Sequence, residues 1–266
     1  MLRTPKHALL ASGLAAAVLF GTVACGSSDS GGSSSEGASG GTTIKVCSDM
    51  PYEPFEAPGK GPRGLKFTGF DIELLDAMVA TDGDKLDITD SDFDTIFAAV
   101  NAGKCDMVAS AVTITADRKK NSLFSDPYFD ADQSLLVPAD SKVEKLSDLE
   151  GKTIGVQTGT TGEKYATEHT PKGATVKAYK DAAGLFAAIN AGQIAAILQD
   201  LPVNSDRATK DDTVKVVDTI PTGEQYGFVV AKDDKDLQAQ LNKELKAVRD
   251  DGTYDKLFKK YFPNAG

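Results

Sequence analysis

The sequence has few of the residues on which common catalytic centres depend. It contains only two histidines and three cysteines in 266 residues. His7 lies near the start of the chain, and His169, which precedes Thr170-Pro171, is expected in a surface loop. There is no metal-ligand cluster, no phosphate-binding loop and no serine nucleophile elbow. These absences give little support to an enzyme, and we expect neither a metal nor a cofactor.

Basic residues are also in deficit. The chain has 29 lysines and arginines against 39 acidic residues, a formal net charge of −10. Nucleic acids favour basic surfaces, so no nucleic-acid partner is expected. Hydrophobic residues make up 41% of the chain, which is enough for an ordinary core in one large domain or two smaller ones.

The N-terminus has the pattern of an export signal over residues 1–24. Arg3 and Lys6 precede an apolar stretch, Ala8 to Ala24, that suits a signal better than a membrane-spanning helix. The stretch leads into Thr22-Val23-Ala24-Cys25-Gly26, which resembles a lipobox, in which the cysteine becomes lipidated. A simple secretory signal is the alternative. Residues 25–42 are rich in Ser and Gly and predict a flexible tether, so we expect a lipid-anchored protein on the extracellular face of the cytoplasmic membrane.

The two remaining cysteines, Cys47 and Cys105, each lie in an apolar run predicted as a strand. Outside the membrane, two such thiols often form a disulfide, and two buried free thiols are the alternative.

Strands and helices alternate in two similar arrays, which predicts an α/β fold with covered parallel strands. In each half a helix ends in Asn-Ala-Gly before a strand. A loop is predicted over Lys119 to Phe129, and the aromatic residues from Tyr254 to Phe262 are predicted to pack in the core. The predicted strands are Thr43–Ser48, Leu86–Thr89, Asp106–Ala111, Ser134–Val137, Thr153–Gln157, Thr175–Tyr179, Ala195–Gln199, Val214–Val217 and Gly227–Ala231. The predicted helices begin at Gly69-Phe70-Asp71, around Phe93, after Gly162, at Ala182 and at Leu237.

Four strands end in polar or unusual residues: Asp49, Ser110, the turn Gly159-Thr160-Thr161, and Asp200. Ligands of open parallel sheets lie beyond such strand ends. The planar guanidinium of Arg118 matches a carboxylate, and the helix start after Gly159 favours an anion. Asp200 can bind an ammonium group nearby. A carboxylate next to an ammonium is the signature of an α-amino acid.

Short motifs follow one another along the chain from Thr43 to Phe262. They are Asp49-x-x-Tyr52-x-Pro54-Phe55, Gly69-Phe70-Asp71-Ile72, Phe93-Asp94, Gly103-Lys104-x-Asp106, Thr113-Ile114-Thr115-x-x-Arg118, Phe124-Ser125-x-Pro127-Tyr128, Leu149-x-Gly151-Lys152-x-Ile154-Gly155-Val156, Gly159-Thr160-Thr161, Gln199-Asp200 and Asp251-Gly252-Thr253-Tyr254. On these motifs the chain resembles the family 3 extracellular solute-binding proteins, the polar amino-acid receptors of ABC importers. The resemblance implies a two-lobed periplasmic-binding-protein-like fold (type II), with lobes joined by strands crossing near 130–133 and 222–226. Lobe I would comprise residues 43–131 and 225–266, and lobe II residues 132–224.

The resemblance also implies a role for each site residue. Arg118 would bind the ligand α-carboxylate, with Thr113 and the backbone N–H groups of Thr113 and Thr161. Asp200, Thr113 and the Ala111 carbonyl would bind the α-ammonium. The rings of Tyr52 and Phe93 would flank the ligand side chain. Its polar end would be contacted by Asp49, Ser110 and Gln157. Thr160, at the helix start, completes the predicted contacts.

The ligand identity is left open among arginine, lysine, histidine and glutamine, with cystine or a compatible solute as further alternatives. A carboxylate at Asp49 suits a cationic or amide side chain and opposes an acidic one. The resemblance implies a monomer that closes by a hinge and is recognised by a membrane permease with a cytoplasmic ATPase. A ligand-sensing receptor and a dehydratase-type enzyme are the alternative functions.

Overall fold

The computed structural model describes residues 41–263. The export signal predicted over residues 1–24, Cys25, and all but the last two residues of the predicted tether lie outside the described residues. Among residues 41–263, no helix combines the length and the apolar character that a membrane span requires.

Residues 41–263 form strands and helices in the alternation that the sequence predicts. The strands are β1 (Thr43–Ser48), β2 (Ala57–Pro58), β3 (Phe67–Thr68), β4 (Lys85–Asp90), β5 (Met107–Val108), β6 (Ser122–Phe124), β7 (Phe129–Pro138), β8 (Thr153–Gln157), β9 (Thr175–Tyr179), β10 (Ala196–Asp200), β11 (Val214–Tyr226) and β12 (Val229–Ala231). The helices are α1 (Phe70–Ala80), α2 (Ile96–Asn101), α3 (Thr161–His169), α4 (Ala182–Asn190), α5 (Leu201–Lys210), α6 (Lys235–Asp250) and α7 (Thr253–Tyr261).

The strands assemble into two five-stranded sheets and a short β2–β3 pair. The first sheet has the order β4-β1-β5-β12-β6, and the second has the order β11-β7-β10-β8-β9. The predicted parallel arrangement is confirmed for β1 with β4 and β5, and for β8 with β9 and β10. Each sheet is nevertheless mixed, because β12 and β6, like β7 and β11, pair antiparallel.

Helices cover both faces of each sheet. Helices α1, α6 and α7 share one apolar cluster with the first sheet, and α2 packs on its other face. Helices α3 and α4 lie in separate clusters against the second sheet. The predicted core role of the C-terminal aromatic residues is confirmed, since the rings of Tyr254, Phe258 and Phe262 pack against Phe70. Buried strands covered on both sides explain the near-continuous apolar runs in the sequence.

The structure differs from the prediction at β5, β6, β11 and α5. The strand predicted over Asp106–Ala111 is confined to β5, and Ala111 beyond its end adopts a φ of 45°. The predicted loop over 119–129 contains β6, which pairs with β12. Strand β11 extends well beyond its predicted end at Val217. Helix α5 was not predicted, although Pro202 stands in its first turn, where proline is favoured.

The chain passes between the sheets twice, after β6 and after β11. The two segments predicted as crossings lie side by side, with Glu224 opposite Ala131 and Tyr226 opposite Phe129. Strands β7 and β11 therefore connect two halves of the molecule. The first half is built on the first sheet, and the second half is built on the second sheet. The exact lobe boundaries, 131/132 and 224/225, remain a prediction.

Candidate functional site

Every predicted ligand residue except Arg118 lines one cavity between the two sheets. Its volume is about 10 Å³, which accommodates about one water molecule. An amino acid can enter only if the lining side chains move or the sheets separate. The lining residues are Asp49, Tyr52, Phe93, Ser110, Ala111 and Thr113 from the first half, and Gln157, Thr160, Thr161 and Asp200 from the second.

Asp49 follows β1 and is held from both halves of the molecule. Its backbone N–H donates to the Ser110 hydroxyl at 3.0 Å, and its carboxylate accepts from the Gln157 amide of β8 at 2.6 Å. Burial raises the pKa of Asp49 to about 6, the Gln157 hydrogen bond opposes the rise, and the Asp90 charge adds to it. A desolvated carboxylate at this position favours a cationic partner.

The turn at Ser110-Ala111 is held in place from beneath by buried acids. The positive φ of Ala111 is rare for a residue with a Cβ. The carboxylate of Asp71, in the first turn of α1, accepts from the Ala111 N–H at 2.8 Å, and the Ser110 hydroxyl donates to Glu56 at 3.2 Å. These bonds hold the strained turn, so that the hydroxyl and the following carbonyl lie at the cavity.

Asp200, the last residue of β10, accepts three hydrogen bonds. The Tyr52 and Tyr226 hydroxyls donate to Oδ2 at 2.9 and 2.5 Å, and the Gln133 amide donates to Oδ1 at 2.5 Å. Burial raises the pKa of Asp200 to about 6, helped by the charge of Glu224 and opposed by the three hydrogen bonds. The carboxylate is thus fixed in position and lacks a directly bonded cation.

Arg118 lies outside the cavity lining and bonds to the backbone of both halves. Its guanidinium donates to the Thr113 carbonyl at 2.8 Å and to the Gly159 carbonyl at 3.0 Å. The rings of Phe93 and Phe97 lie 5.3 and 5.1 Å from Cζ, within cation–π range. Burial lowers the pKa of Arg118 to about 10, which the charges of Asp200 and Glu224 oppose. The group remains a cation at neutral pH.

The start of α3 faces the cavity with its first residues. Thr160 is the N-cap, since its hydroxyl accepts from the Glu163 N–H at 3.1 Å and donates to the Gln157 carbonyl at 2.8 Å. The Thr160 hydroxyl is therefore occupied by the cap, and the Thr161 hydroxyl is the side-chain group that α3 offers at this point. Gly159 adopts a φ of 80°, a conformation that favours glycine in this turn.

Three site residues were missed from the sequence: Gln133, Glu224 and Tyr226. Glu224 accepts from the hydroxyls of both Thr113 and Thr161 at 2.7 Å. All three residues lie in the predicted crossing segments. Their proximity to a site between the lobes could therefore have been predicted from the sequence. Their side-chain directions could not.

Acidic groups outnumber the cation around the cavity. Asp49 and Asp200 line it, Glu224 contacts two of its threonines, and Arg118 lies beside it. The bonds from Tyr52 to Asp200 and from Gln157 to Asp49 also tie the two halves together. The groups that would contact a ligand thus form hydrogen bonds with one another between the two halves. A ligand must replace these hydrogen bonds.

The remaining predicted chemistry lies elsewhere. Cys47 and Cys105 are joined by a disulfide beside α2. His169, which was predicted in a surface loop, is instead the exposed last residue of α3, where it stacks on Tyr165. Residues 41–263 contain no group of His, Cys, Asp and Glu arranged to hold a metal ion.

Comparison with known proteins places the chain in a family. The model of the bacterial extracellular solute-binding proteins, family 3, matches residues 44–264. The arginine-binding extracellular protein ArtP of Bacillus subtilis is 32% identical over 94% of this chain and 95% of its own length.

Solved structures show the same similarity. The arginine-, lysine-, histidine-binding protein ArtJ of Geobacillus stearothermophilus has a TM-score of 0.76 at 32% identity, over 84% of this chain and 96% of that one. The ancestral amino-acid-binding protein AncCDT-1, a precursor of cyclohexadienyl dehydratase, has a TM-score of 0.75 at 38% identity, over 83% and 95%. The chain has two sheets, passes between them twice, and matches the family model over residues 44–264. It therefore belongs to the bacterial extracellular solute-binding proteins, family 3.

Proposed function

We propose that this protein captures a basic L-amino acid outside the cell and delivers it to the permease of an ABC importer powered by a cytoplasmic ATPase. The observation that carries the proposal is that one cavity is lined by two desolvated carboxylates, those of Asp49 and Asp200. Each needs a cationic partner. A basic amino acid supplies two, its α-ammonium and its side chain.

Each lining residue except Thr160, whose hydroxyl caps α3, has a role in this proposal. Asp200, the Thr113 hydroxyl and the Ala111 carbonyl bind the α-ammonium. The α-carboxylate binds Arg118, whose N–H groups exchange a backbone carbonyl for the ligand, together with the N–H groups of Thr113 and Thr161.

The side chain of the ligand extends between Tyr52 and Phe93 towards Asp49, Ser110 and Gln157. Flat aromatic plates stabilise a guanidinium or imidazolium by cation–π contact. Arginine, lysine and histidine therefore suit the site best. Glutamine follows, because its amide can hydrogen-bond to Asp49 without neutralising it. Cystine would bring a second carboxylate towards Asp49, and a compatible solute with a single cationic group would leave one carboxylate unpaired.

Binding requires opening and closing about β7 and β11, since the cavity of about 10 Å³ cannot admit an amino acid. Lobe I comprises residues 43–131 and 225–266, and lobe II residues 132–224. The ligand stabilises the closed form because it contacts residues of both lobes. The permease recognises that form, and the binding protein acts as a monomer.

From the predicted export signal and Cys25 we infer that the protein lies at the extracellular face of the cytoplasmic membrane, held by a lipid and a Ser/Gly tether. Cells labelled with an alkyne fatty acid should incorporate the label into the wild-type protein. A Cys25→Ala variant should lose the label and leave the membrane fraction. A label that persists in this variant would refute the anchor.

We propose that the protein itself performs no reaction. Similarity to a dehydratase precursor makes an enzyme the alternative, and proton NMR of the bound ligand after prolonged incubation distinguishes the two. An unchanged ligand supports binding alone. Uptake of labelled arginine by cells with and without the gene then separates import from a purely sensory role.

The decisive experiment is a thermal-shift screen of the mature protein against the standard amino acids, cystine and ectoine. A ligand that binds only the folded protein must raise the melting temperature. We expect the largest increases with arginine, lysine or histidine. No increase with any α-amino acid would overturn the proposal.

A further inference from the structure

Glu224 is a carboxylate that neither the cavity lining nor the predicted ligand contacts include. It lies on β11, in the connection between the two halves, where β11 and β7 are paired. A register shift separates Ile220 from Glu224, and Gly223 within it has a φ of 62°. Asp132 holds this bulge, since its carboxylate accepts from the N–H groups of Thr222 and Gly223 at 2.9 and 3.1 Å. Bulges redirect side chains, and this one directs Glu224 to the site.

The Glu224 carboxylate bonds to both halves of the site at once. Its Oε2 atom lies 2.7 Å from the Thr113 hydroxyl of the first half and 2.7 Å from the Thr161 hydroxyl of the second. Its other oxygen accepts from the Gln133 amide at 3.2 Å, and the same amide donates to Asp200. Glu224, Gln133 and Asp200 are thus linked around the expected position of the ligand ammonium.

A threonine hydroxyl has one proton and two lone pairs. An ionised carboxylate only accepts, so each threonine that bonds to Glu224 must donate its single proton there. Thr113 and Thr161 both line the cavity, and their hydroxyl oxygens are left able to accept but unable to donate. The Gln133 amide already donates to the Thr161 oxygen at 3.4 Å, which leaves that oxygen one further lone pair. Such oxygens attract an ammonium group and repel a carboxylate.

We propose that Glu224 is a positioning residue that makes the Thr113 and Thr161 hydroxyls acceptors for the ligand α-ammonium. This inference rests on the proposed function and extends it, because it explains why a hydroxyl-lined site selects amino acids over acids that lack the amino group. Glu224 does not contact the ligand. It acts through the two threonines and adds a negative charge next to Asp200.

The test compares L-arginine with 5-guanidinopentanoate, which is arginine without its α-amino group, by titration calorimetry on the mature protein. We expect the wild type to prefer arginine by about 100-fold or more, since a buried Asp200 without its ammonium partner is costly. In a Glu224→Gln variant the amide can donate to the threonine oxygens. The preference should then decrease about tenfold, through weaker arginine binding rather than stronger or weaker binding of the analogue.

Two further variants separate this role from general effects. Glu144→Gln removes one negative charge from an exposed position and should leave the preference unchanged. In a Thr113→Val, Thr161→Val background, adding Glu224→Gln should change the preference less than threefold, because the hydroxyls through which Glu224 acts are gone. Melting curves check that each variant folds. If Glu224→Gln prevents folding, Glu224→Asp replaces it, since its shorter side chain withdraws the carboxylate from the hydroxyls, and the same loss of preference is expected.

Either a wild-type preference in Glu224→Gln, or its full effect in the absence of both hydroxyls, would overturn the inference. Failure of the proposed function has a different outcome. The wild-type protein itself would then bind neither arginine nor another basic amino acid.

Discussion

Asp49 and Asp200 occupy similar positions but differ in the number of hydrogen bonds that their carboxylates accept. Each lies at the carboxyl end of a strand, and burial raises the pKa of each to about 6. Asp49 accepts one side-chain hydrogen bond, from Gln157. Asp200 accepts three, from Tyr52, Tyr226 and Gln133, which come from both halves and from the connecting strands.

The difference indicates that the two carboxylates bind different parts of the ligand. A carboxylate fixed by three donors presents its charge in one place, which suits the ammonium group that all α-amino acids share. A carboxylate with one donor can adapt to the side-chain group that varies among ligands. The predictions below test this difference, starting with the largest expected effect.

Replacing Asp200 by asparagine should weaken the binding of every amino acid that the wild type binds. Removing one partner of a buried charged pair costs about 2–5 kcal/mol, so the dissociation constant should rise by at least about 30-fold. Titration calorimetry with arginine and glutamine measures it, with Asp218→Asn on β11 as the control. A loss confined to arginine would assign Asp200 to the side chain instead.

Acid should weaken the binding of arginine, because binding needs both carboxylates ionised and both have a pKa of about 6. The affinity for arginine should reach its full value above pH 6 and decrease below it. Each carboxylate contributes up to about tenfold between pH 7 and 5, so the two together contribute up to about 100-fold. In Asp49→Asn the decrease should shrink to about tenfold, since one group remains. Calorimetry across this range in matched buffers provides the measurement, and an identical pH profile in both proteins would contradict the prediction.

The stability of the protein without added amino acid should respond to pH with the opposite sign. The ordinary pKa of an aspartate is 3.8, and the folded protein raises that of Asp49 and Asp200 to about 6. Between about pH 4 and 6 the folded state therefore binds more protons than the unfolded state, and stability from these groups decreases as pH rises. Urea unfolding curves should show a shallower decrease in Asp49→Asn than in the wild type.

Replacing Asp49 by asparagine should distinguish between ligands. Arginine should bind about tenfold more weakly, because a charge-assisted contact is lost, and glutamine should change by less than about threefold. Competition between the two ligands in one titration measures the ratio directly. Equal losses would show that Asp49 does not select the side chain.

The smallest effect is expected from Tyr226→Phe, which removes one of the three donors to Asp200. Arginine binding should weaken by about threefold to tenfold, the range for one hydrogen bond to a charged group that keeps other donors. The matched control is Tyr254→Phe, whose hydroxyl bonds to the Tyr128 carbonyl away from the cavity. A loss as large as that of Asp200→Asn would mean that a single donor, rather than the set of three, fixes this carboxylate.

Local sequence patterns were sufficient to predict most of the fold. The strand limits Thr43–Ser48, Thr153–Gln157 and Thr175–Tyr179, and the helix Ala182–Asn190, agree with the structure. These segments have regular apolar spacing and clear turn residues at their ends. Strand β6 and helix α5 were missed because both are short or mainly polar, and their structure depends on packing against β12 and β7.

The sequence by itself determined the α/β alternation, the strand ends at which a ligand would lie, and an aspartate at position 49 that suits a cationic or amide side chain. Only the tertiary structure decided where the side chains point. It placed Arg118 on two backbone carbonyls outside the cavity lining, and it turned Glu224 towards two threonines through a bulge. Apolar periodicity reports burial along one element, whereas these contacts join residues up to 111 positions apart, and their geometry follows from how the two sheets meet.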